Sequence, residues 1–322
     1  MRILAISNAS AQESEVFLAV ADILEKRGHQ IMVFRQDLCL QGESIAIEVV
    51  CNIPKYLVVI DGKKYDLDTF DAFWYMHPML PRELILYKYT EYRHFIDSQF
   101  FALRKGLLQL FREKRWINDP WHMFMAENKP YQIRLACQTG FQMPDTLITS
   151  DPEMVRDFYK THHGNVVVKN LATSPIADHI IATNMVTDQA MGNIESVRLA
   201  PSIFQERIKK AYELRITVVG KKIFASKIYS QEDEATALDW RVKPKINDFV
   251  VKMERTILPL VIEDQIHVFM HLAGLQFGCI DMIVTPDGQY IFLEINPNGQ
   301  WFFVQLKTGA KIAEAMVDLL TE

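Results

Sequence analysis

Cysteine is scarce in this sequence: there are four in 322 residues, and no two of them form a Cys-x-x-Cys pair. They are widely separated, at Cys39, Cys51, Cys137 and Cys279. Such spacing argues against a disulfide-stapled domain and against a compact zinc site. It predicts free, buried thiols in a protein of the reducing cytoplasm.

The chain also lacks the patterns of several common protein classes. No apolar stretch approaches the roughly 18 residues that cross a bilayer, and the apolar run after Met1 is too short for a secretory signal. No Gly-x-Gly-x-x-Gly follows the first predicted strand, and no Gly-x-Ser-x-Gly nucleophile motif occurs. The net charge is −5, and the basic residues do not alternate with stacking aromatics. We therefore expect neither a membrane nor a nucleic-acid partner.

What is present is the composition of a globular protein, with 49% hydrophobic and 23% charged residues. The length allows one large domain or two to three ordinary ones. Hydrophobic periodicity predicts a βαβ start, two more strands joined through an Asp61-Gly62 turn signal, and a long helix. The predicted ranges are strands 2–6, 30–34, 56–60 and 72–75, a helix at 15–27 that Gly28 ends, and a helix at 86–115.

A second set of elements begins near Asn118. Pro130 lies early in a predicted helix, and Asp151 caps another that starts at Pro152. Alternating β-rich runs predict the strands 146–149, 165–170, 179–185 and 202–206, followed by a hairpin of 214–219 and 223–229.

The most informative segment is a hairpin near the C-terminus. Asp287-Gly288 lies between two β-rich runs and predicts a two-residue turn, which places Asp281 directly opposite Glu294. Asn296 points to the same side of its strand as Glu294. The neighbouring residues are apolar, so the strands are predicted to be buried, and buried like charges need a counter-ion. Two carboxylates and an amide oxygen suit Mg²⁺, although a solvated hairpin face with accidental charges is the alternative.

Positive charge is concentrated in the middle of the chain. Residues 201–230 hold seven basic and two acidic residues, a local net charge of +5. The basic residues of this region are Arg207, Lys209, Lys210, Arg215, Lys221, Lys222 and Lys227, with Arg241, Lys243 and Lys245 just beyond. The pattern favours an anionic ligand, but exposed hairpins are often rich in lysine without any function.

Taken in order, several short segments resemble the ATP-grasp superfamily, specifically its RimK-like branch. Within that branch the sequence is most similar to the peptide maturases that make graspetides such as microviridins. The matching segments, which cover roughly residues 120–320, are Glu127-Asn-Lys129, 166–169, 204–208, 213–220, Asp239-Trp-Arg241, 278–301 and Lys307-Thr-Gly309. The resemblance implies an ATP-grasp fold of mixed α/β and α+β type. We expect an N-terminal α/β domain at 1–118, a central lid domain at 119–204 and a C-terminal α+β domain with the metal hairpin at 205–322.

The resemblance also implies roles for individual residues. Lys129 and Lys169 would contact the phosphates of ATP, and Glu213 would hold its ribose. The hinge that reads adenine would be formed by Gln205, Glu206, Arg207 and Ile208. Asp281, Glu294 and Asn296 would bind Mg²⁺, in agreement with the hairpin pattern. Arg215 and Arg241 would face the transferred phosphate and the acyl intermediate as catalytic residues.

The implied activity is that of an ADP-forming, ATP- and Mg-dependent carboxylate ligase. It would activate a carboxylate as an acyl phosphate and form ester or amide macrocycles in an acidic precursor peptide with a leader segment, as a homodimer. Two alternatives stay open. One is a RimK-like ligase that joins a free amino acid or amine to a protein or small-molecule carboxylate. The other is a non-catalytic ATP-binding regulator, against which the complete Asp281, Glu294 and Asn296 set argues.

Overall fold

The computed structural model describes residues 1–79, 90–172, 183–241 and 251–322. The chain divides into two compact units. The first unit contains Met1–Met123, Gly274–Phe277 and Lys311–Glu322, and the second contains Phe124–Ala273 and Gly278–Ala310. The mixed α/β class that we expected is confirmed, and the three-domain division at residues 118 and 204 stays a prediction.

Two sheets form the strand framework of the first unit. A parallel sheet has the order β2-β1-β6-β7, with β1 at Arg2–Ser7, β2 at Gln30–Arg35, β6 at Ala72–Tyr75 and β7 at Arg115–Ile117. A three-stranded antiparallel sheet is formed by β3 at Ser44–Val50, β4 at Ile53–Ile60 and β5 at Lys63–Asp66. Ile3, Leu4 and Ala5 of β1 are all buried, as expected for a central parallel strand that is covered on both faces.

The helix after β1 begins earlier than the apolar periodicity predicts. Helix α1 runs from Ala11 to Lys26, four residues before the predicted start, because the Ser10 side chain caps it by accepting a hydrogen bond from the Glu13 amide. Val16, Val20 and Leu24 are buried along one face at helical spacing. The first turn that this cap adds is polar, so hydrophobic periodicity does not reveal it.

The long helix predicted at 86–115 is wrong at its C-terminal end. Helix α2 covers Arg93–Leu110, residues 86–89 lie outside the described part, and residues 115–117 form β7 beside β6. Trp116 explains the change, since its ring stacks on Phe73 at 4.6 Å and its indole N–H donates to the Phe111 carbonyl. This burial in the sheet outweighs the helical pattern of the preceding residues.

The second unit contains two further sheets. One has the order β10-β9-β11-β8 and consists of β8 at Thr146–Thr149, β9 at Val166–Lys169, β10 at Asn184–Met185 and β11 at Ser202–Glu206. The other has the order β14-β13-β12-β15-β16 and consists of β12 at Tyr212–Val219, β13 at Lys222–Ile228, β14 at Met253–Thr256, β15 at Phe277–Val284 and β16 at Tyr290–Asn296. The strand predicted at 179–185 is found only as β10, and its residues 179–182 lie outside the described part.

The remaining helices are mostly short. They are α3 at Pro120–Ala126, α4 at Lys129–Gln138, α5 at Pro152–Thr161, α6 at Asp188–Gly192, α7 at Glu234–Ala237, α8 at Leu260–Ala273, α9 at Phe302–Thr308 and α10 at Ile312–Thr321. As predicted, Asp151 caps the helix that begins at Pro152. Across the described residues, no helix combines the length and the apolar character needed to cross a membrane.

The cysteines are free but mostly not buried. Cys279 is buried, Cys39 is half-buried, and Cys51 and Cys137 are exposed. The expectation of buried thiols is therefore right for Cys279 alone. Cys51 lies at the turn between β3 and β4, and Cys137 lies on the open face of α4.

An aromatic cluster in the second unit packs against β16 of the C-terminal hairpin. The ring of Phe292, on β16, lies 5.0 Å from that of Phe141 and 5.3 Å from that of Phe269. Its backbone N–H also donates to the Gln142 carbonyl at 2.8 Å. Phe292 is fully buried, so its packing holds the strand that carries Glu294.

We predict that Phe292→Ala lowers the free energy of unfolding by about 3–5 kcal/mol, because it leaves a cavity between two aromatic rings. Urea unfolding followed by circular dichroism measures the change. The control is Leu306→Ala on α9, where the side chain is 67% exposed, and we expect a change within about 0.5 kcal/mol. Equal effects of the two substitutions would contradict the packing role of Phe292.

Candidate active site

The C-terminal hairpin brings the two predicted carboxylates together. Asp281 on β15 is paired with Glu294 on β16, as the sequence predicted. The predicted two-residue turn is wrong, however. The backbone N–H of Thr285 donates to the Gln289 carbonyl, and the Thr285 carbonyl accepts from the Gly288 amide. The loop therefore has three residues, 286–288, with Gly288 in the left-handed region at φ 85°.

A β-bulge restores the predicted register. The pairing shifts between Asp281 and Met282, so that Met282 faces Phe292 while Asp281 faces Glu294, which leaves Leu293 as the extra residue. The longer loop moves the register by one residue and the bulge moves it back. The predicted pair of carboxylates is thus confirmed, through two features that the sequence did not reveal.

Asp281 has an arginine as its counter-ion. Arg215 on β12 donates from Nη1 to both carboxylate oxygens, at 2.9 and 3.1 Å, and from Nη2 to the Gln300 carbonyl at 2.7 Å. Arg215 is only 6% exposed. Burial alone would lower the pKa of Arg215, but the interactions of Arg215 with Asp281 and Cys279 together outweigh burial and raise that pKa above its usual value. Arg215 is therefore kept protonated, and its hydrogen bonds to Asp281 and Gln300 fix its position.

Glu294 has two cationic neighbours. Lys129 donates from Nζ to Oε2 at 2.5 Å, and Nη1 of Arg241 lies 3.5 Å from Oε1. Burial alone would raise the pKa of Glu294, but the charges of Lys129 and Arg241 outweigh burial and lower the pKa to about 2. Lys129 is the first residue of α4, which Asn128 caps by accepting from the Tyr131 amide. The cap thus fixes the position of the lysine.

Arg241 is itself held by Asp239, a residue to which we assigned no role from the sequence. Oδ1 of Asp239 accepts from the Arg241 amide at 3.1 Å and from Nε at 2.9 Å, while Oδ2 accepts from Nη2 at 3.1 Å. Although burial opposes it, these interactions lower the pKa of Asp239. The Asp-x-Arg spacing is the available signal, because an aspartate commonly bonds the amide two residues ahead.

Lys169 joins the same group of charges from the neighbouring sheet. Its Nζ donates to Oε1 of Gln205 at 2.7 Å, and Nε2 of Gln205 donates to Thr146 at 2.9 Å. Burial is the main cause that lowers the pKa of Lys169, and Glu294, Arg241 and Lys129 all act on it electrostatically. We call Lys129, Lys169, Arg215, Asp239, Arg241, Asp281 and Glu294 the charge cluster. Its four cations and three anions leave one positive charge in excess.

Glu213 and the hinge residues lie beside this cluster in sequence but have their own partners. Glu213 is 8% exposed and accepts from Lys210 Nζ at 2.7 Å; burial outweighs Lys210 and raises its pKa. The Glu206 and Arg207 amides donate to the Asp145 and Asn165 carbonyls. Ile208 follows them and is half-buried.

Asn296 lies at the end of β16, opposite Cys279. It is exposed, and its Oδ1 accepts from the Asn298 amide at 3.1 Å. Together, Asp281, Glu294 and Asn296 offer only hard oxygen donors, which fits a cation such as Mg²⁺. Both carboxylates already have side-chain counter-ions, so a bound cation would share them with Arg215 and Lys129.

Gly299 is a further site residue that the sequence analysis did not single out. A Cβ atom there would lie 2.5 Å from Cβ of Cys279 and 3.0 Å from Nη2 of Arg215. The missing side chain lets the backbone approach closely enough for the Gln300 carbonyl to accept from Arg215. Cys279, fully buried beneath this contact, packs against Thr217.

The seven basic residues at 201–230 do not act as one patch. Arg215 belongs to the charge cluster, Lys210 is paired with Glu213, and Lys227 lies over the Tyr212 ring. Lys221 and Lys222 lie exposed at the β12–β13 turn. Lys243 and Lys245 lie outside the described part of the chain. Only part of the predicted positive region therefore faces the carboxylates.

The low pKa of Glu294 predicts an acid-dependent loss of stability. The pKa is about 2 in the folded protein, below its ordinary value of 4.5, so the unfolded chain takes up the proton first as the pH falls. The stabilisation is present above pH 4.5 and is lost as the pH falls towards 2. Between about pH 6 and pH 3, it accounts for about 2 kcal/mol of the unfolding free energy.

Urea unfolding of the metal-free chain at both pH values should show that Glu294→Gln has the shallower pH dependence. Glu232→Gln, at an exposed position, is the control and should keep the parent slope. Parallel pH profiles for the parent chain and Glu294→Gln would refute the assignment of an ionised Glu294.

Solved structures of ATP-grasp ligases resemble the whole chain. Macrocyclase MdnC from Microcystis aeruginosa MRC, bound with precursor peptide MdnA, is 28% identical with a TM-score of 0.85, over 99% of each chain. A RiPP-associated ATP-grasp ligase of Chryseobacterium gregarium, in complex with ADP and a leader and core peptide, is 25% identical with a TM-score of 0.85, over 99% of this chain and 96% of that one. ATP-grasp ligase PsnB, complexed with a phosphomimetic variant of minimal precursor, Mg and ADP, is 20% identical with a TM-score of 0.75, over 99% and 97%.

A scan against protein-family models gave no match, and a search of curated protein sequences gave none either. The fold resemblance is nevertheless complete along the chain, and it agrees with the motifs that suggested it. The protein thus has the ATP-grasp fold, and the ligases that it resembles from end to end include a peptide macrocyclase and a RiPP-associated enzyme.

Proposed function

We propose that this protein is an ATP- and Mg-dependent ligase that closes ester or amide macrocycles between side chains of an acidic precursor peptide. The observation that carries the proposal is the charge cluster, in which oxygen donors for a cation and a surplus of positive charge lie together. The full-length resemblance to a macrocyclase bound with a precursor peptide supports the choice of substrate.

Two lysines would receive the phosphates of ATP. Lys129 and Lys169 now donate to Glu294 and Gln205, and phosphate oxygens can take over as acceptors. Burial disfavours the charged form of Lys169, so an anionic phosphate beside it would favour that form and gain a charge-assisted hydrogen bond. The adenine would lie against Gln205–Ile208, and the ribose hydroxyls would donate to Glu213, which Lys210 holds in place.

The metal would be held by Asp281, Glu294 and Asn296. When bound there, Mg²⁺ would supply neutralisation of the phosphate charge during phosphoryl transfer. The protein prepares its ligands in advance: Lys129 and Arg241 keep Glu294 ionised, and Arg215 orients Asp281 with two hydrogen bonds. Glu294 therefore offers an unprotonated oxygen at neutral pH, and the carboxylate of Asp281 is held in a fixed orientation.

The two arginines differ in access to a substrate. The Arg241 side chain is about half exposed, at 52%, whereas that of Arg215 is 7% exposed. Arg241 is therefore suited to hold a substrate carboxylate while one of its oxygens attacks the γ-phosphorus and ADP departs. A side-chain hydroxyl or amine would then attack the acyl carbonyl, the bond from that carbon to the phosphate oxygen would break, and the departing inorganic phosphate would take up the proton of the nucleophile. Arg215, whose buried Nε has no hydrogen-bond partner among the described residues, keeps one donor for charge that develops nearby.

We predict that Glu294→Gln lowers the rate of ADP formation by roughly 10²-fold or more, because it removes a charged cation ligand. A coupled assay of ADP release with Mg·ATP and peptide measures the rate. Asp287→Asn, on the loop of the same hairpin and exposed, should retain the parent rate. Thermal unfolding of both variants separates loss of activity from loss of fold, and normal turnover in a folded Glu294→Gln variant would refute the metal assignment.

The peptide activity is tested by mass spectrometry of an Asp/Glu-rich precursor peptide incubated with the enzyme and Mg·ATP. We expect the peptide to lose one water for each bond formed, with one ADP released for each. An increase by the mass of an added amino acid or amine would favour a RimK-like ligase. ATP binding without any change in the peptide or any ADP would favour the non-catalytic regulator.

A further inference from the structure

An apolar cavity lies in the first unit, and none of the charge-cluster residues lines it. Its volume is about 270 Å³, and it is bounded by the parallel sheet, helix α2 and the β3–β4 hairpin. Its walls are mainly hydrophobic and include Leu4, Phe34, Val58, Phe73, Leu107 and Trp116. Protein interiors rarely leave voids larger than a water molecule, so a space of this size needs an explanation.

One polar group on the wall of the cavity is incompletely paired. Glu43 is only 4% exposed, and its Oε2 accepts from the Arg35 amide at 2.6 Å. Its Oε1 is buried and receives no hydrogen bond from the residues that the structure describes. Burial raises the pKa of Glu43, against the effect of Arg35. An unpaired buried oxygen costs free energy that a ligand with a donor can recover.

Gln36 and Arg104, two other polar side chains at this cavity, are hydrogen-bonded to each other. Gln36 is 4% exposed; its Oε1 accepts from Arg104 at 3.4 Å, and its Nε2 donates to the Met79 carbonyl at 3.5 Å. Glu43 is held in place by its own amide, which donates to the Leu38 carbonyl. The cavity therefore combines an apolar body with one fixed hydrogen-bond acceptor, which is the usual construction of a small-molecule site.

We infer that this cavity binds a compact aromatic group with a single N–H or O–H donor that reaches Oε1 of Glu43. An engineered cavity of about 150 Å³ holds benzene, so 270 Å³ suits two fused rings. The group can be a free small molecule or an aromatic side chain of a peptide. Because the site depends only on residues of the first unit, its test is independent of the proposed ligase activity.

Indole and benzofuran test the site as a matched pair, since they share shape but only indole has a donor. Calorimetric or saturation-transfer titration of the full chain should show indole binding at least about tenfold more tightly, the worth of one hydrogen bond to a buried acceptor. Glu43→Leu should reduce this preference to about one. Equal binding of the two probes to the parent chain, or no indole binding at about 1 mM, would overturn the inference.

Cavity filling supplies a second test that does not alter the carboxylate. Leu107→Phe places added volume in the cavity and should weaken indole binding by at least about tenfold. Leu110→Phe makes the same change three residues later on α2, where the side chain is 48% exposed, and should leave indole binding unchanged. Thermal unfolding checks that both variants fold. An unchanged indole affinity in a folded Leu107→Phe variant would show that indole binds elsewhere and so would contradict the site.

N-acetyl-tryptophanamide distinguishes the two sources of the aromatic group. Affinity equal to or above that of indole, lost again in Leu107→Phe, supports entry of a peptide side chain. Binding of indole alone supports a free small molecule, since the backbone of the amide would then be excluded.

Discussion

The positions of several residues in the second unit depend on the charges of Asp281 and Glu294. Two carboxylates that face each other across a hairpin repel, and burial strengthens the repulsion because little water screens it. Arg215, Lys129 and Arg241 supply the compensation. Other features then serve these cations: Asp239 orients Arg241, the Gln300 carbonyl fixes Arg215, and Gly299 leaves room for that contact.

The same compensation links the structure to its proposed chemistry. A cluster with four cations and three anions has paired ions and one surplus positive charge, so it is suited to exchange partners when a polyanion and a metal arrive together. Lys169 is the clearest example of such an exchange. Burial disfavours its charged form, and a phosphate in place of its present partner would favour that form. Arg241, half exposed, remains accessible to a peptide carboxylate.

The dipeptide Asp-Gly occurs twice in the chain, and its two copies show that both the local sequence and the tertiary context determine the type of turn. Asp61-Gly62 forms a two-residue turn with both residues at positive φ. It joins β4 to β5, however, and not to the strand at Ala72–Tyr75 as we expected, because that strand pairs with β1 in the parallel sheet. Asp287-Gly288 lies instead in a three-residue loop, because the side chain of Thr285 accepts from the Gln289 amide and donates to Asp287. The bulge at Leu293 then returns Glu294 to Asp281. Burial of Phe292 on one side of the strand and pairing of Glu294 with cations on the other favour that register.

The sequence by itself determined many of the strands, the capped helix start at Pro152, the ATP-grasp resemblance and the opposition of Asp281 to Glu294, because periodicity, caps and pairing of nearby strands are local properties. Only the tertiary structure decided which cation neutralises each carboxylate, that residues 115–117 join the sheet, and that Glu43 borders a cavity. Lys129 meets Glu294 across 165 residues of chain. Contacts between residues so far apart in the chain depend on how whole sheets and helices pack, and the spacing of residues along the sequence does not reveal that packing.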